Sequence, residues 1–494
     1  MKKAILVCIL ILAIVLSLFA CDTAEMVKND SGADGLNSSG YASPAGPSDS
    51  GSESGTSAGP SDSGDNSGTS AGPYDGGGKS GTGTELAGDG RIRLDGYGLE
   101  SYKSEVAIAG IDKSTDKPET EVTNGVRAGL LTACAYDDHE FIAYWHGLLT
   151  SNQEGDGVFA QYFRDFAFKA FEQITVTVEG MARIKVSLYQ GDTLLGKAVT
   201  DNAGVAYLFA PKHMEDLVVV ADVPDIDIVL KKSVENNAVT FTKEETGAGA
   251  PNRSDLIQVM FVIDTTGSMG DEINYLKEEI ADVISRIKSE TNAEVSLAVM
   301  VYRDEDGEYY TEEYLTKYSD FTTDVAAQQA FLKQQDAGGG GDYEEAVDIA
   351  LNQAVGKQWA YNATKIIVHV ADAPAHDDKV VSWNVAVESA AAQGIRIVSV
   401  AASGLSKKAE YFFRSQSLLT GGVYVWLTDD SGIGGSHIEG TVENRPKVEA
   451  LNDCLVRVMS ALHKCDGKIT VFPDKEEADG ENAANAEDIE DAAN

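Results

Sequence analysis

The sequence predicts a multidomain chain. Its main part is an α/β domain with a mostly parallel central sheet and helices on both faces, preceded by a β-sandwich module and a disordered tether. Three observations carry this. From Leu256 to the region of Cys465, short apolar or β-branched segments alternate with helical runs, the pattern of strands joined by covering helices. Between Ile174 and Thr242 the apolar period is two, with turn signals between the segments, as in half-buried strands. Residues 21–90 are dominated by Ser, Gly, Asp and Pro without apolar periodicity, so no core can form there.

Taken in order, Met1-Lys2-Lys3 and the apolar run to Ala20 have the charged start and apolar middle of a secretory signal, and are short for a membrane span. Residues 21–90 repeat Ser-Ala-Gly-Pro at 57–60 and 70–73. As a flexible tether they have a mean reach of about 40–50 Å. Residues 91–170 read as a mixed, partly helical segment rich in aromatics, with Trp145, Tyr162, Phe163, Phe166 and Phe168 prominent. These rings could form a carbohydrate-binding face, but packing is the favoured role for such a stripe.

Residues 171–246 form the β module. Strands are predicted at Ile174–Val178, Ile184–Tyr189, Leu217–Ala221, Ile226–Val229 and Val239–Thr242, with turns at Gln190-Gly191-Asp192 and Asp201–Gly204. Thr246–Pro251 is a boundary. Within 252–466, strands are predicted at Leu256–Phe261, Val295–Tyr302, Ile366–Ala371, Ile395–Ala401 and Val423–Leu427. Helices are predicted near 272–290, 323–335, 343–355, 379–393 and 447–463. The Asp/Glu/Ala/Asn tail, 474–494, has no apolar face and reads as disordered.

The first α/β strand runs into Asp264-Thr265-Thr266-Gly267-Ser268. Asp264, Thr266 and Ser268 then lie on a strand-to-helix turn at the carboxyl end of a strand, where open α/β sheets place ligands. Three oxygen-bearing side chains at alternating positions suit a hard divalent cation. Helix capping by Thr266 or Ser268 is the alternative for the motif alone. Asp372 ends a second apolar strand, and Gly338–Gly341 leads to Asp342.

Together these residues resemble the von Willebrand factor A domain, a Rossmann-like fold, and its metal-ion-dependent adhesion site. Tyr302-Arg303-Asp304 and Ala371–His376 look like the hemicentin and alpha-kinase-associated branch. The resemblance covers about 254–465. It implies that Mg2+, or alternatively Mn2+ or Ca2+, is held by Asp264, Thr266, Ser268, Asp342 and Asp372. Thr266 and Ser268 would bind directly, with Asp264 and Asp372 orienting waters. A partner protein's acidic side chain would complete the shell. Many members carry a neutral Thr where Asp342 stands; a third carboxylate there lowers the positive charge offered to a partner. Asp342 could equally cap a helix beginning near Tyr343. The stretch Thr200–Ala206 looks like the repeat-end of a bacterial immunoglobulin-like or carboxypeptidase-regulatory-like sandwich, usually a spacer. Leu18-Phe19-Ala20-Cys21 resembles a lipobox, which implies acylation of Cys21 and an extracytoplasmic, membrane-anchored protein, on the cell surface or the periplasmic face.

The formal charge is −40, which disfavours nucleic acid and anionic lipid and attracts divalent cations. Cys134, Cys454 and Cys465 remain once the leader and Cys21 are set aside, enough for one disulfide and one thiol. Cys454 and Cys465 are too far apart to pair on one straight helix. His369 and His376 read as packed or solvated rather than ligating, and Arg303 as a structural ion-pair residue. Asp264–Ser268 also looks like an aspartyl-phosphate motif, but Thr266 stands where such enzymes usually place a second Asp. The chain is therefore read as a binding protein and not an enzyme, with a metal-stabilised scaffold as the alternative.

Overall fold

The computed structural model describes residues 127–150, 157–166, 172–223, 228–247, 253–304 and 314–473. All belong to one compact unit spanning Ser114–Asn494. The leader, Cys21, the tether, the acidic tail and Phe168 lie outside the described residues, as does the side chain of Phe166.

The description begins with β1 (Thr132–Tyr136) and two short helices, α1 (Ile142–Thr150) and α2 (Ala160–Phe166). Seven strands follow: β2 (Glu172–Val178), β3 (Lys185–Gln190), β4 (Thr193–Val199), β5 (Val205–Ala210), β6 (Leu217–Val223), β7 (Ile228–Ser233) and β8 (Ala238–Phe241). One helical turn, α3 (Lys243–Thr246), leads to β9 (Leu256–Asp264), α4 (Ile273–Thr291), β10 (Glu294–Tyr302) and β11 (Thr316–Thr322). Then come α5 (Val325–Lys333), α6 (Val347–Val355), β12 (Thr364–Ala371), α7 (Val380–Gln393) and β13 (Ile395–Ala401). The last elements are α8 (Lys407–Thr420), β14 (Tyr424–Leu427), β15 (Glu449–Ala450) and α9 (Leu451–Lys464).

The central sheet has the order β11-β10-β9-β12-β13-β14-β1-β15. From β10 to β14 all pairs are parallel, while β11 and β1 flank them antiparallel. Nearly every residue of β9 is buried, because successive side chains enter opposite faces and both faces are covered. Val259, Phe261 and Ile263 pack with Ile280, Val283, Leu455 and Met459 of α4 and α9. Met260 and Val262 pack with Leu351, Trp383 and Phe412 of α6, α7 and α8.

Two expectations need correction. The sheet is not contained within 252–466: β1, expected in a separate segment, pairs with β14 with Cys134 opposite Trp426. Glu279 of α4 anchors its approach by accepting the Gly129 and Leu130 amides at 2.8 and 3.2 Å. The α/β domain is therefore discontinuous, with the β module inserted between β1 and β9. Helix α8 was also not expected. Its Arg414, Gln416 and Ser417 are buried alongside Tyr411, Phe412 and Phe413, so polar residues at inward positions interrupt the apolar period that marks a helix in sequence.

The β module has two sheets, β5-β2-β8 and β4-β3-β6-β7, sharing a core that includes Ile174, Val186 and Val219. Its expected immunoglobulin-like class is not supported. Nor is it a free spacer, because it is bonded to the α/β domain at the amino end of the sheet. Asn202 donates to the His463 carbonyl at 2.8 Å and accepts the Ser254 amide at 3.1 Å. Arg396 pairs with Asp201 at 3.3 Å. This leaves the carboxyl end of the strands to the candidate site.

The aromatic segment is packing. Trp145 stacks on Tyr411 with centroids 6.1 Å apart, and Tyr162 and Phe163 are partly buried against the same cluster. At its centre Arg414, fully buried, pairs with Asp138 through Nε at 3.0 Å. Its guanidinium lies 5.2 Å from the Trp145 ring centroid and 5.6 Å from that of Phe159. Cys134, Cys454 and Cys465 are all free thiols. Helix α9 continues to Lys464 before Cys465 turns left-handed, so the reversal needed to bring Cys454 and Cys465 together is absent.

Candidate metal centre

Strand β9 delivers Asp264 to the carboxyl edge of the sheet, where it is fully buried. The chain then turns sharply: Thr266 donates both its amide (2.8 Å) and its hydroxyl (2.7 Å) to Asp264 Oδ1. Thr265 ties the turn to the neighbouring strand by donating its amide to the Tyr302 carbonyl at 2.9 Å. Ser268 Oγ stands 3.3 Å from Thr266 Oγ1 and is exposed. The motif thus presents a buried carboxylate, a buried hydroxyl and an exposed hydroxyl in series.

The glycine loop closes over this turn. Gly267 donates to the Gly339 carbonyl at 3.1 Å, and Gly338 to the Thr265 carbonyl at 3.0 Å. Gly340 has φ +83°, and a Cβ there would stand 3.1 Å from Glu345 Oε1 and 3.4 Å from Thr266 Cβ. Both the backbone conformation and the close approach require glycine.

The loop brings in a carboxylate that sequence reasoning missed. Glu345 is buried and held by its amide on the Pro374 carbonyl at 3.0 Å, just past Asp372. Burial, then the charges of Asp264, Asp304 and Asp372, push Glu345 up to about 10. Burial, then Asp372, push Asp264 up to about 7 despite the Thr266 donors. Asp264 Oδ2 and Glu345 Oε2 are buried without a hydrogen-bond partner. The adjacent acids Glu344 and Glu345 gave no periodic cue; only the bridge between Glu345 and Ala375 turns the second one inward.

Asp342 does not take the capping role, and it stands in a cluster of potential metal ligands beside the turn. The helix that follows starts at Val347 with Ala346 as its cap, so Asp342 does not cap it. It is exposed and grouped with Asp304 and His376, their ligand atoms all within 4.8 Å of one another. His376 Nε2 is 2.8 Å from Asp304 Oδ1; this partner raises the imidazole, although burial alone would lower it. His376 is thus half-buried and part of an acidic cluster beside the site. His369 is packed, as expected: its ring nitrogens meet Tyr302 Oη at 3.0 Å and Gln416 Nε2 at 2.9 Å, and burial pushes it down to about 3. Arg303 donates to the Asp336 carbonyl at 2.9 Å and lies 4.8 Å over the Tyr314 ring.

Asp372, at the end of β12, completes the group. It is buried, its carbonyl accepts the Tyr343 hydroxyl at 2.9 Å, and Tyr343 in turn accepts the Ser406 amide at 2.7 Å. The donor set of Asp264, Thr266, Ser268, Glu345 and Asp372 is all oxygen, which fits Mg2+, Mn2+ or Ca2+ rather than a thiophilic metal.

The family description that matches residues 258–432 is the von Willebrand factor A domain. The chain contains such a domain. Beta1 and α9 of this A domain fall outside the matched residues. The alpha-protein kinase vwkA of Dictyostelium discoideum is 24% identical over 161 residues, 32% of this chain and 25% of that protein. A putative ariadne-like RING finger protein, R811, of Acanthamoeba polyphaga mimivirus is 25% identical over 190 residues, 35% of this chain and 18% of that one. The chain therefore spans a quarter or less of the length of these relatives. Among solved structures, the conserved hypothetical protein BatB from Bacteroides thetaiotaomicron matches with 12% identity and TM-score 0.30, over 42% of this chain and 99% of that one. An aerotolerance-related membrane protein from Bacteroides fragilis matches with 14% identity and TM-score 0.24, over 47% and 97%.

Proposed function

We propose that the A domain holds a divalent cation, Mg2+ or alternatively Mn2+ or Ca2+, at Asp264, Thr266, Ser268, Glu345 and Asp372, and uses it to capture a protein ligand. One observation carries this reading. Asp264, Glu345 and Asp372 are buried together, Asp264 Oδ2 and Glu345 Oε2 have no hydrogen-bond partner, and the charges that press most on Asp264 and Glu345 are other carboxylates. Uncompensated buried charge is costly, and a divalent cation is the group that would relieve it. A bound cation would supply a positive point for a partner's acidic side chain. Thr266, tied to Asp264, keeps that carboxylate oriented, and the exposed Ser268 marks the side open to a partner. On this reading the chain is a binding protein and not an enzyme.

The test is calorimetric titration of each cation into the full chain and into Asp264→Ala. The segment 250–466 is unsuitable because it lacks β1. Saturable binding in the parent, lost in the variant, is the expected result; a parent that binds no cation leaves the A domain a scaffold without metal-dependent capture.

We further propose that Cys21 is acylated and anchors the chain to a membrane outside the cytoplasm. Among the described residues no helix is long and apolar enough to cross a membrane. Cys21→Ser is expected to move the protein from the membrane fraction to the soluble one and to abolish incorporation of labelled fatty acid. Unchanged labelling would rule the anchor out.

A further inference from the structure

We propose that His437 is a pH-released clamp, closing the 428–447 loop onto the start of α4 and onto the 403–404 turn beside the candidate centre. Both of its ring nitrogens face carboxylates. Nε2 is 2.7 Å from Glu272 Oε1 and Nδ1 is 2.8 Å from Asp429 Oδ1. A neutral imidazole carries one N–H and can donate to only one of them; donation to both requires the imidazolium. The His437 side chain is 3% exposed and that of Glu272 is 0% exposed, so little water is present to replace a lost contact.

The clamp joins three segments. Glu272 directly precedes α4 and lies four residues after Ser268 in the chain. It also accepts the Ser403 amide at 3.2 Å. The next residue, Gly404, donates to the Ser436 carbonyl at 3.1 Å, and a Cβ on Gly404 would stand 4.0 Å from Asp372 Oδ2. Deprotonation of His437 leaves a single N–H; kept on Nε2 for the buried Glu272, it sets the Nδ1 lone pair against Asp429 Oδ1, whose side chain is exposed. The loop then rests on Glu272 and on the Gly404–Ser436 bond without its own Asp429 tie, and its hold on the α4 start and the 403–404 turn weakens.

The charged groups facing His437 are Glu272, from the start of α4, and Asp429, from the turn Asp429–Ser431; both raise it above its ordinary 6.5, against a burial effect that lowers it. The nearby Arg445 is paired with Asp430 and Glu439. A histidine raised in the folded state contributes stability that is fully present below its unfolded value and is lost as the pH rises through the folded one. The clamp is therefore closed in mild acid and opens on the alkaline side. Its consequence for the cation, a loosened Ser268 and Asp372 rim, rests on the function proposed above.

The experiment is hydrogen exchange on the cation-free full chain, corrected for intrinsic rates, at about pH 6 and about pH 8.5, on either side of the ordinary histidine value. Peptides over 403–406 and 433–440 are expected to lose protection by roughly tenfold or more at the higher pH. His437→Gln is expected to show the low protection at both. Gly434→Ala, whose Cβ would stand 2.5 Å from Glu272 Oε1, is expected to open the loop in mild acid while leaving the imidazole in place. Equal protection of the parent at both pH values overturns the proposal. So does an imidazole NMR titration of the unmodified protein that places His437 at or below about 6.5. Because no cation is present, the clamp can fail while the Asp264 centre stands, and the reverse.

Discussion

Glu345→Gln is expected to weaken Mg2+ binding to the full chain by roughly two orders of magnitude, because ligand charge count sets the affinity of such sites over decades. Asp342→Asn is expected to change it by less than about threefold, the effect of an outer carboxylate acting through space and screened by solvent. The contrast separates two arrangements of one loop. If Asp342 were the ligand, the order of the two effects would reverse. Protons compete with the cation for the same oxygens. With Asp264 held at about 7 and Glu345 at about 10, affinity is expected to rise from mild acid to mild alkali. The slope should shrink in Glu345→Gln, which no longer has that proton to release. Isothermal titration at several pH values, in buffers of different ionisation enthalpy, reads both the affinity and the protons released.

The second large effect belongs to the core. Arg414→Ala is expected to cost about 3–5 kcal/mol, the usual consequence of leaving buried carboxylates without their partner. Asp138 and Glu410, both buried, face that guanidinium at 2.5 and 3.5 Å. Burial alone would lower Arg414, and the Asp138 charge more than offsets it. Arg414→Lys should recover only part of the loss, since an ammonium cannot reproduce the planar fork or its stacking among aromatic rings. Urea unfolding of the full chain measures this. A loss below about 1 kcal/mol would mean that the cage holds little of the fold together. The same variant tests the discontinuous domain, because Asp138 follows β1 while Arg414 lies on α8.

The parallel strands, the motif turn and the strand-end Asp372 were legible in the chain because each signal is local. An apolar run, a change of period and a glycine cluster need only a few neighbouring residues to be recognised. Val262-Ile263-Asp264 could be assigned to a strand end, and Thr266 and Ser268 to the following turn, on that basis alone. The same holds for the two-residue period of β2, β3 and β6. Long-range choices left no such trace. Beta1 is five residues long and finds its partner β14 only through the closed sheet, so it was grouped with its sequence neighbours. Helix α8 buries Arg414 and Gln416 and hides its period. Glu345 and Asp342 are three residues apart in one acidic loop, and their sequence context does not distinguish them. The glycine loop folded onto Thr266 and the bridge to Ala375 bury Glu345, whereas Asp342 stays exposed beside the buried Asp304 and the half-buried His376. The sequence by itself therefore determined the α/β layering and the kind of chemistry at the carboxyl edge. Only the tertiary structure decided which carboxylate is buried beside Thr266, because burial belongs to the packed fold and not to the residue.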